Sequence, residues 1–254
     1  PPCRSELRGY GRDGIVDKIR AAGGEIYALT SEPQRLASLA QDKWEIGFEA
    51  IGDPHHEISG ACRERGLLEL FVNTKTDRMS LDRAMTFSHP KGYFQPGVLS
   101  LDASGRVLYR WRGRPTRKNM GGATERPTAV YVFDNVSREL AVSAASGEAA
   151  DAELDTNPKL DSRGLPWPVF MSLLVANGWF IEPKPFPYIS GGPSVQLRAK
   201  RAMLRIPFFI AAWVLAFTQL PILWVGGAFV AWAAWLTPRI RFVGNQFQNE
   251  PGED

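Results

Sequence analysis

The stretch IPFFIAAWVLAFTQLPILWVGGAFVAWAAWL, Ile206 to Leu236, decides the architecture: thirty-one residues carry no charge, and nothing in them is more polar than Thr218 and Gln219. One continuous helix of that length would run roughly 46 Å, more than the ~30 Å hydrocarbon core of a bilayer requires. Buried helices of soluble proteins seldom sustain such a run, so it reads as membrane-embedded. Two arrangements satisfy it. In one, a single tilted helix spans the bilayer with a kink at Pro221, which has no N–H to continue the helical ladder. In the other, Thr218 to Pro221 turns the chain, and two short half-helices form a re-entrant hairpin packed against other protein. Only the hairpin returns Arg205 and Arg239 to one face. Trp213, Trp224, Trp232 and Trp235 suit interface anchoring, and Gly226-Gly227 would admit another helix closely.

Working outward, Arg198, Lys200, Arg201 and Arg205 precede the run, against Arg239 and Arg241 beyond it. The positive-inside tendency therefore places the large N-terminal domain on the cytoplasmic-like side, whether cytosol, stroma or matrix. Upstream, Lys184 to Ser194 is a Pro/Gly-rich connector. LPWPVFMSLLVANGWFI, Leu165 to Ile181, is apolar but proline-broken, the pattern of an interfacial or docking helix. Ser143 to Ser162 lacks periodicity and reads as an exposed linker. The expected division is a domain over 1–142, a linker with a short helix over 143–200, a membrane segment over 201–242 and a polar tail over 243–254.

The chain has 254 residues, 44% hydrophobic and 22% charged, close to globular averages, which argues against a disordered or polytopic protein. The net charge of +3 is concentrated at Arg106 to Arg126 and Arg198 to Arg205, clusters that suit anionic lipid or an acidic partner. Two cysteines, Cys3 and Cys62, exclude a disulfide-stapled scaffold. The three histidines offer no metal-ligand spacing: His55 and His56 are adjacent in a helix start and point about 100° apart, and His89 lies in a Pro/Gly-rich loop. No metal site is expected. Neither a Walker nor a dinucleotide fingerprint is present, so no cofactor is expected either.

The first 142 residues alternate. Arg4 to Ala22 has Leu7, Ile15 and Ile19 at helical spacing and stops at Gly23-Gly24. Glu25 to Thr30 reads as a strand. Ser31 with Gln34 forms a capping-box pattern for a helix to Trp44. Phe48 to Pro54 reads as a strand, after which Asp53 caps a helix begun by Pro54 and running to Arg65, with Cys62 four residues after Ile58 on one face. GVLSLDASGRVLYRWRG, Gly97 to Gly113, is a hairpin around Asp102-Ala103-Ser104-Gly105, with Val107, Tyr109 and Trp111 on one face. A last helix is expected from Thr128 to Leu140. The class is α/β: a mixed sheet with helices on both faces.

This order, with PPCRSEL at the start, IGDP opening a helix and PGVLSLDASGRVLYRW as final hairpin, resembles the thioredoxin fold. More narrowly it resembles the alkyl hydroperoxide reductase/thiol-specific antioxidant (peroxiredoxin-like) group, over residues 1–140. In that family Cys-Pro-x-Cys-Arg opens the first helix, so the resemblance makes Cys3 the redox cysteine, with a partner thiol standing just before Pro1. Arg4 would support the thiolate. A helix N-terminus favours that form through its unpaired N–H groups and dipole. Pro96, in Gln95-Pro96-Gly97, corresponds to the family's proline that is often cis and faces the cysteine. Where peroxiredoxins carry an arginine near the hairpin strand, this sequence has Gln95-Pro96. Cys62 is a candidate resolving partner, set against a buried structural role.

The loop RGRPTRKNMGGATERP, Arg112 to Pro127, holds Arg112, Arg114, Arg117, Lys118 and Arg126 around Gly121-Gly122, a pattern for docking an anion, acidic lipid or protein. Its thin aromatic content argues against nucleic acid. Two functions follow. The first is a membrane-tethered thiol oxidoreductase or peroxiredoxin-like antioxidant protein acting on a thiol or peroxide. The alternative is a non-catalytic accessory subunit of a larger membrane complex that retains the fold and docks on membrane-protein partners.

Overall fold

A computed structural model describes residues 2–75, 89–116, 119, 125–146, 150–160, 165–186 and 192–247. The contacts divide the chain into two compact units, Pro2–Gly164 and Leu165–Gln246.

In the first unit, α1 (Pro2–Arg12) and α2 (Ile15–Ala21) replace the single helix expected, because Gly14 adopts a left-handed φ of 69° between them. Strand β1 (Tyr27–Thr30) runs parallel to β2 (Glu49–Gly52), joined by α3 (Gln34–Trp44). Ser31 does not cap α3: its Oγ meets His89 Nδ1 at 2.9 Å and accepts the Phe94 N–H, while Pro33 occupies the cap. Helix α4 (Glu57–Glu64) begins later than expected because His56 is left-handed at φ 61°. Asp53 still satisfies its first turn, accepting from the N–H groups of Glu57, Ile58 and Ser59.

Three two-stranded ladders form among the described residues, where one mixed sheet was expected: β1·β2, the short antiparallel β3 (Val72–Asn73)·β4 (Tyr93–Phe94), and the antiparallel β5 (Gly97–Leu101)·β6 (Val107–Arg112). The outer edge of β2 is closed chemically. Gln41 Oε1 accepts from Ala50 N, and the Gln34 amide bonds both Ala50 O and Gly52 N. Side chains thus occupy the groups that a further strand would need. A Cβ at Gly52 would lie 2.5 Å from both Glu32 O and Gln34 N, so only glycine permits this approach of α3.

The β5·β6 hairpin forms as the sequence predicts. Asp102 accepts from the N–H groups of Ser104 and Arg106 and from the Ser104 hydroxyl, and these bonds pull its carboxyl down to about pKa 2. Helix α5 (Ala129–Ser146) joins two clusters. Ala129 is buried with Tyr10, Ile15, Val16, Ile46 and Phe48, with Phe133 packed alongside; Val132 is buried with Tyr109 and Trp111 on the hairpin.

The stretch expected to be an exposed linker, Ser143 to Ser162, differs: α5 runs on to Ser146, and 150–160 is bound to the domain. The latter segment lies along β6: Ala152 N donates to Val107 O, Asp155 N to Arg110 O, and Val107 N to Asp151 Oδ1. Asp155 Oδ2 receives both the Tyr109 and the Tyr131 hydroxyls, at 2.9 and 3.0 Å. An open strand edge, the buried Tyr109 phenol and the half-buried Tyr131 phenol find their partners here, which no composition argument reveals.

In the second unit, α6 (Trp167–Asn177) buries Met171, Leu173, Leu174, Val175 and Ala176. Trp179 and Phe180 are both left-handed and fold the chain back. Helix α7 (Val195–Gln219) is capped by Ser194 and ends at an extended Leu220; α8 (Ile222–Asn245) follows Pro221. The two are antiparallel: Phe217 meets Phe229, Trp213 meets Phe229 and Trp232, and Phe209 meets Trp232. The apolar run is thus broken at Leu220–Pro221 and folds back as a helical hairpin. A Cβ at Gly226 or Gly227 would meet no neighbour, so the seam is built from rings and not from glycine contact. By length and composition, α7, with 25 residues, is apolar enough to cross a membrane.

Candidate functional site

Cys3 is the second residue of α1, exposed and free, where backbone N–H groups have no helical acceptor. Arg126 donates to it, with Nη2 3.5 Å from Sγ. Arg126 is only 3% exposed; its Nη1 donates to Glu125 O, and its Nε lies 2.8 Å from Glu6 Oε2. Residues 3 and 6 stand one turn apart on α1, so one guanidinium touches both. The Glu6 carboxylate adds to burial in pushing the Tyr10 phenol up, one turn further along.

Two elements make this geometry. Helix α5 packs on α1, and Arg126 sits three residues before α5 begins. Behind it the loop is braced by Asn119, 2% exposed, whose side chain bonds Arg114 O and Glu125 N. Arg126, expected on a docking surface, is instead an interior residue: its long side chain is held by an acid rather than spread in water. Arg114 remains exposed and Arg112 is half-buried at the end of β6. Arg117, Lys118 and the Gly121-Gly122 pair lie outside the described residues. Arg4 is half-buried on α1.

Among the described residues no peptide bond is cis, the Gln95–Pro96 bond included. Pro96 O accepts from Gly113 N at 2.7 Å, which fixes the mouth of the hairpin. Cys62 is a free, half-buried thiol on α4; burial pushes its pKa up, with Arg65 opposing and Asp53 reinforcing. The groups acting on Cys62 are thus different from those at Cys3.

A second polar cluster was missed from sequence. His89, its side chain 7% exposed, meets Ser31 Oγ through Nδ1 and Glu32 Oε1 through Nε2 at 3.4 Å. Burial pushes its pKa down, with the hydrogen bond to Ser31 opposing and His56 reinforcing. His56 lies nearby, its ring 4.6 Å from that of Phe94. Among the described residues, no group of three His, Cys, Asp or Glu side chains is arranged to hold a metal.

Comparison with protein-family models, curated proteins and solved structures finds no match.

Proposed function

We propose that this chain is a membrane-tethered thiol oxidoreductase of thioredoxin-like, peroxiredoxin-like type, with Cys3 as nucleophile. The observation that carries the reading is the buried Arg126 guanidinium donating to the Sγ of an exposed, helix-starting cysteine. A guanidinium is the kind of donor that a sulfur anion takes, and it lies beneath the sulfur, leaving the outer side open to substrate. Arg126 supplies the positive group that the resemblance assigns to Arg4 and to a position now held by Gln95-Pro96.

Attack on a peroxide would form an S–O bond, break the O–O bond and release water or an alcohol, leaving a sulfenic acid on Cys3. Exchange with a disulfide would instead form a mixed disulfide and release one thiol. The domain faces the cytoplasmic-like side in this reading, and the apolar α7 and α8 tether it.

The test measures peroxide consumption and disulfide reduction with a dithiol donor, together with alkylation of Cys3, in the native chain, Cys3→Ser and Arg126→Met. Activity lost in Cys3→Ser and alkylation slowed about tenfold in Arg126→Met support the reading. A native chain with neither activity, alkylated at the rate of a small free thiol, sinks it. That result would favour the accessory-subunit reading, for which the exposed apolar surface of α7 and α8 is the supporting observation.

A further inference from the structure

We infer that Leu165–Gln246 is a re-entrant membrane hairpin seated on an anionic leaflet. The helices α7 and α8 enter the bilayer from one face, turn at Leu220–Pro221 within the hydrocarbon, and return to the same face. The inference rests on the membrane attachment proposed above and is independent of the chemistry at Cys3.

The first observation is that the apolar surface is not one-sided. On α7 Phe208 is 75% exposed and Ile210 56%, and on α8 Ile222 is 70%, Leu223 86% and Trp224 79% exposed, positions one or two residues apart that face different directions around their helices. A helix lying flat at an interface would show one apolar face and one charged face; one that is apolar all round is inserted.

The second observation is depth. Helix α7 has 25 residues, but its first eleven carry Arg198, Lys200, Arg201 and Arg205. From Arg205 to Gln219 it reaches about 21 Å, and α8 from Ile222 to Arg239 about 26 Å, both short of the ~30 Å hydrocarbon core. The length that makes α7 suitable to cross a membrane therefore includes a helical stretch rich in cations that belongs in the headgroups.

The third observation sets the level of the surface. Arg205 lies 3.9 Å over the Trp179 ring, and Arg239 lies 3.5 Å over the Trp235 ring. Both pairs are tied to the end of α6 and the loop that follows it. Arg205 Nη1 donates to Ala176 O, Trp232 Nε1 to Phe180 O at 2.6 Å, and Trp235 Nε1 to Ile181 O at 3.1 Å. Guanidinium stacked on exposed indole is suited to the headgroup boundary, where a ring and a charge share one depth. Two such pairs at the end of α6 and the following loop make a collar on a single side of the hairpin.

Charge identifies the lipid. From Pro183 to Asn249 the sequence has seven Lys or Arg and no Asp or Glu. A phosphatidylglycerol-type surface complements it. At the turn Leu220 N still bonds Ala216 O, Trp224 N and Val225 N bond Pro221 O, and Pro221 has no N–H to satisfy.

The test uses the full chain in a Cys3→Ser/Cys62→Ser background, with single reporters Lys200→Cys, Gln219→Cys or Asn245→Cys, added to preformed vesicles. With three-to-one phosphatidylcholine:phosphatidylglycerol, the protein should float with the vesicles, and neutral vesicles should recover several-fold less. Impermeant maleimide added outside should label positions 200 and 245 equally and leave 219 protected; reagent trapped inside should label none. Lys200→Gln and Arg201→Gln, both exposed, should each weaken binding to the anionic vesicles about fivefold. Labelling of 219 from the lumen, or of 200 and 245 from opposite sides, overturns the re-entrant placement while leaving attachment intact. Equal binding to neutral vesicles overturns the anionic surface. Absence of flotation with either composition overturns the inference and the membrane attachment together, with the alkylation assay of the native Cys3 unaffected.

Discussion

Arg126 and Glu6 form an interior ion pair whose side chains are 4% and 14% exposed, so neither charge can be left alone cheaply. Glu6→Gln should lower stability by about 3 kcal/mol, seen as a reduced urea midpoint, because the guanidinium remains buried without its acid. The same change should alter the alkylation rate of Cys3, since Arg126 is then free to shift against Sγ. His89 gives a pH signature. Its folded pKa is pushed below the ordinary 6.5 by burial, so protons bind the unfolded chain first. Its contribution is complete above about pH 7 and is lost as pH falls through 6.5 toward the folded value. Urea unfolding at pH 7.5 and 5.5 should show that loss, and His89→Gln should flatten it; an unchanged slope would show that another group carries it. Of these residues, Cys3 was legible in the sequence from its helix-start context. Arg126 was visible only as one of several basic residues in a loop, because nothing local ties it to a cysteine 123 positions away.

At the level of elements, the hairpin at 97–113 was readable because its turn chemistry is local: Asp102 bonds residues two and four positions on. The segment 150–160 was not, because its partners are β6 and the phenols of Tyr109 and Tyr131. Asp155→Ala should leave a buried phenol unsatisfied and cost about 2 kcal/mol or more. Hydrogen exchange should report it first at the Ala152 and Asp155 amides, which donate to β6. Protection of those amides equal to that of the native chain would show that the segment is held by something else. The start of α4 makes the same point on a smaller scale. Asp53 was expected at the cap; it does accept from the first-turn N–H groups, but the cap position falls to the left-handed His56, which delays the helix to Glu57.

For the whole molecule, the division of contacts at Gly164/Leu165 predicts that residues 1–164 fold without the rest. That fragment should remain soluble without detergent and unfold cooperatively, with Cys3 alkylated at the rate seen in the full chain; aggregation with lost cooperativity would refute the division. The sequence by itself determined that Ile206–Leu236 is too long and too apolar for an ordinary soluble helix, that Pro221 interrupts it, and that α and β elements alternate before it. These are properties of composition and period, carried by neighbouring residues. Only the tertiary structure decided that the apolar run folds back on itself, that Gln34 and Gln41 close the edge of β2, and that Arg126 reaches Cys3. Each of those depends on which distant surfaces meet, and a ring, an amide or a guanidinium has no partner until the chain has brought one to it.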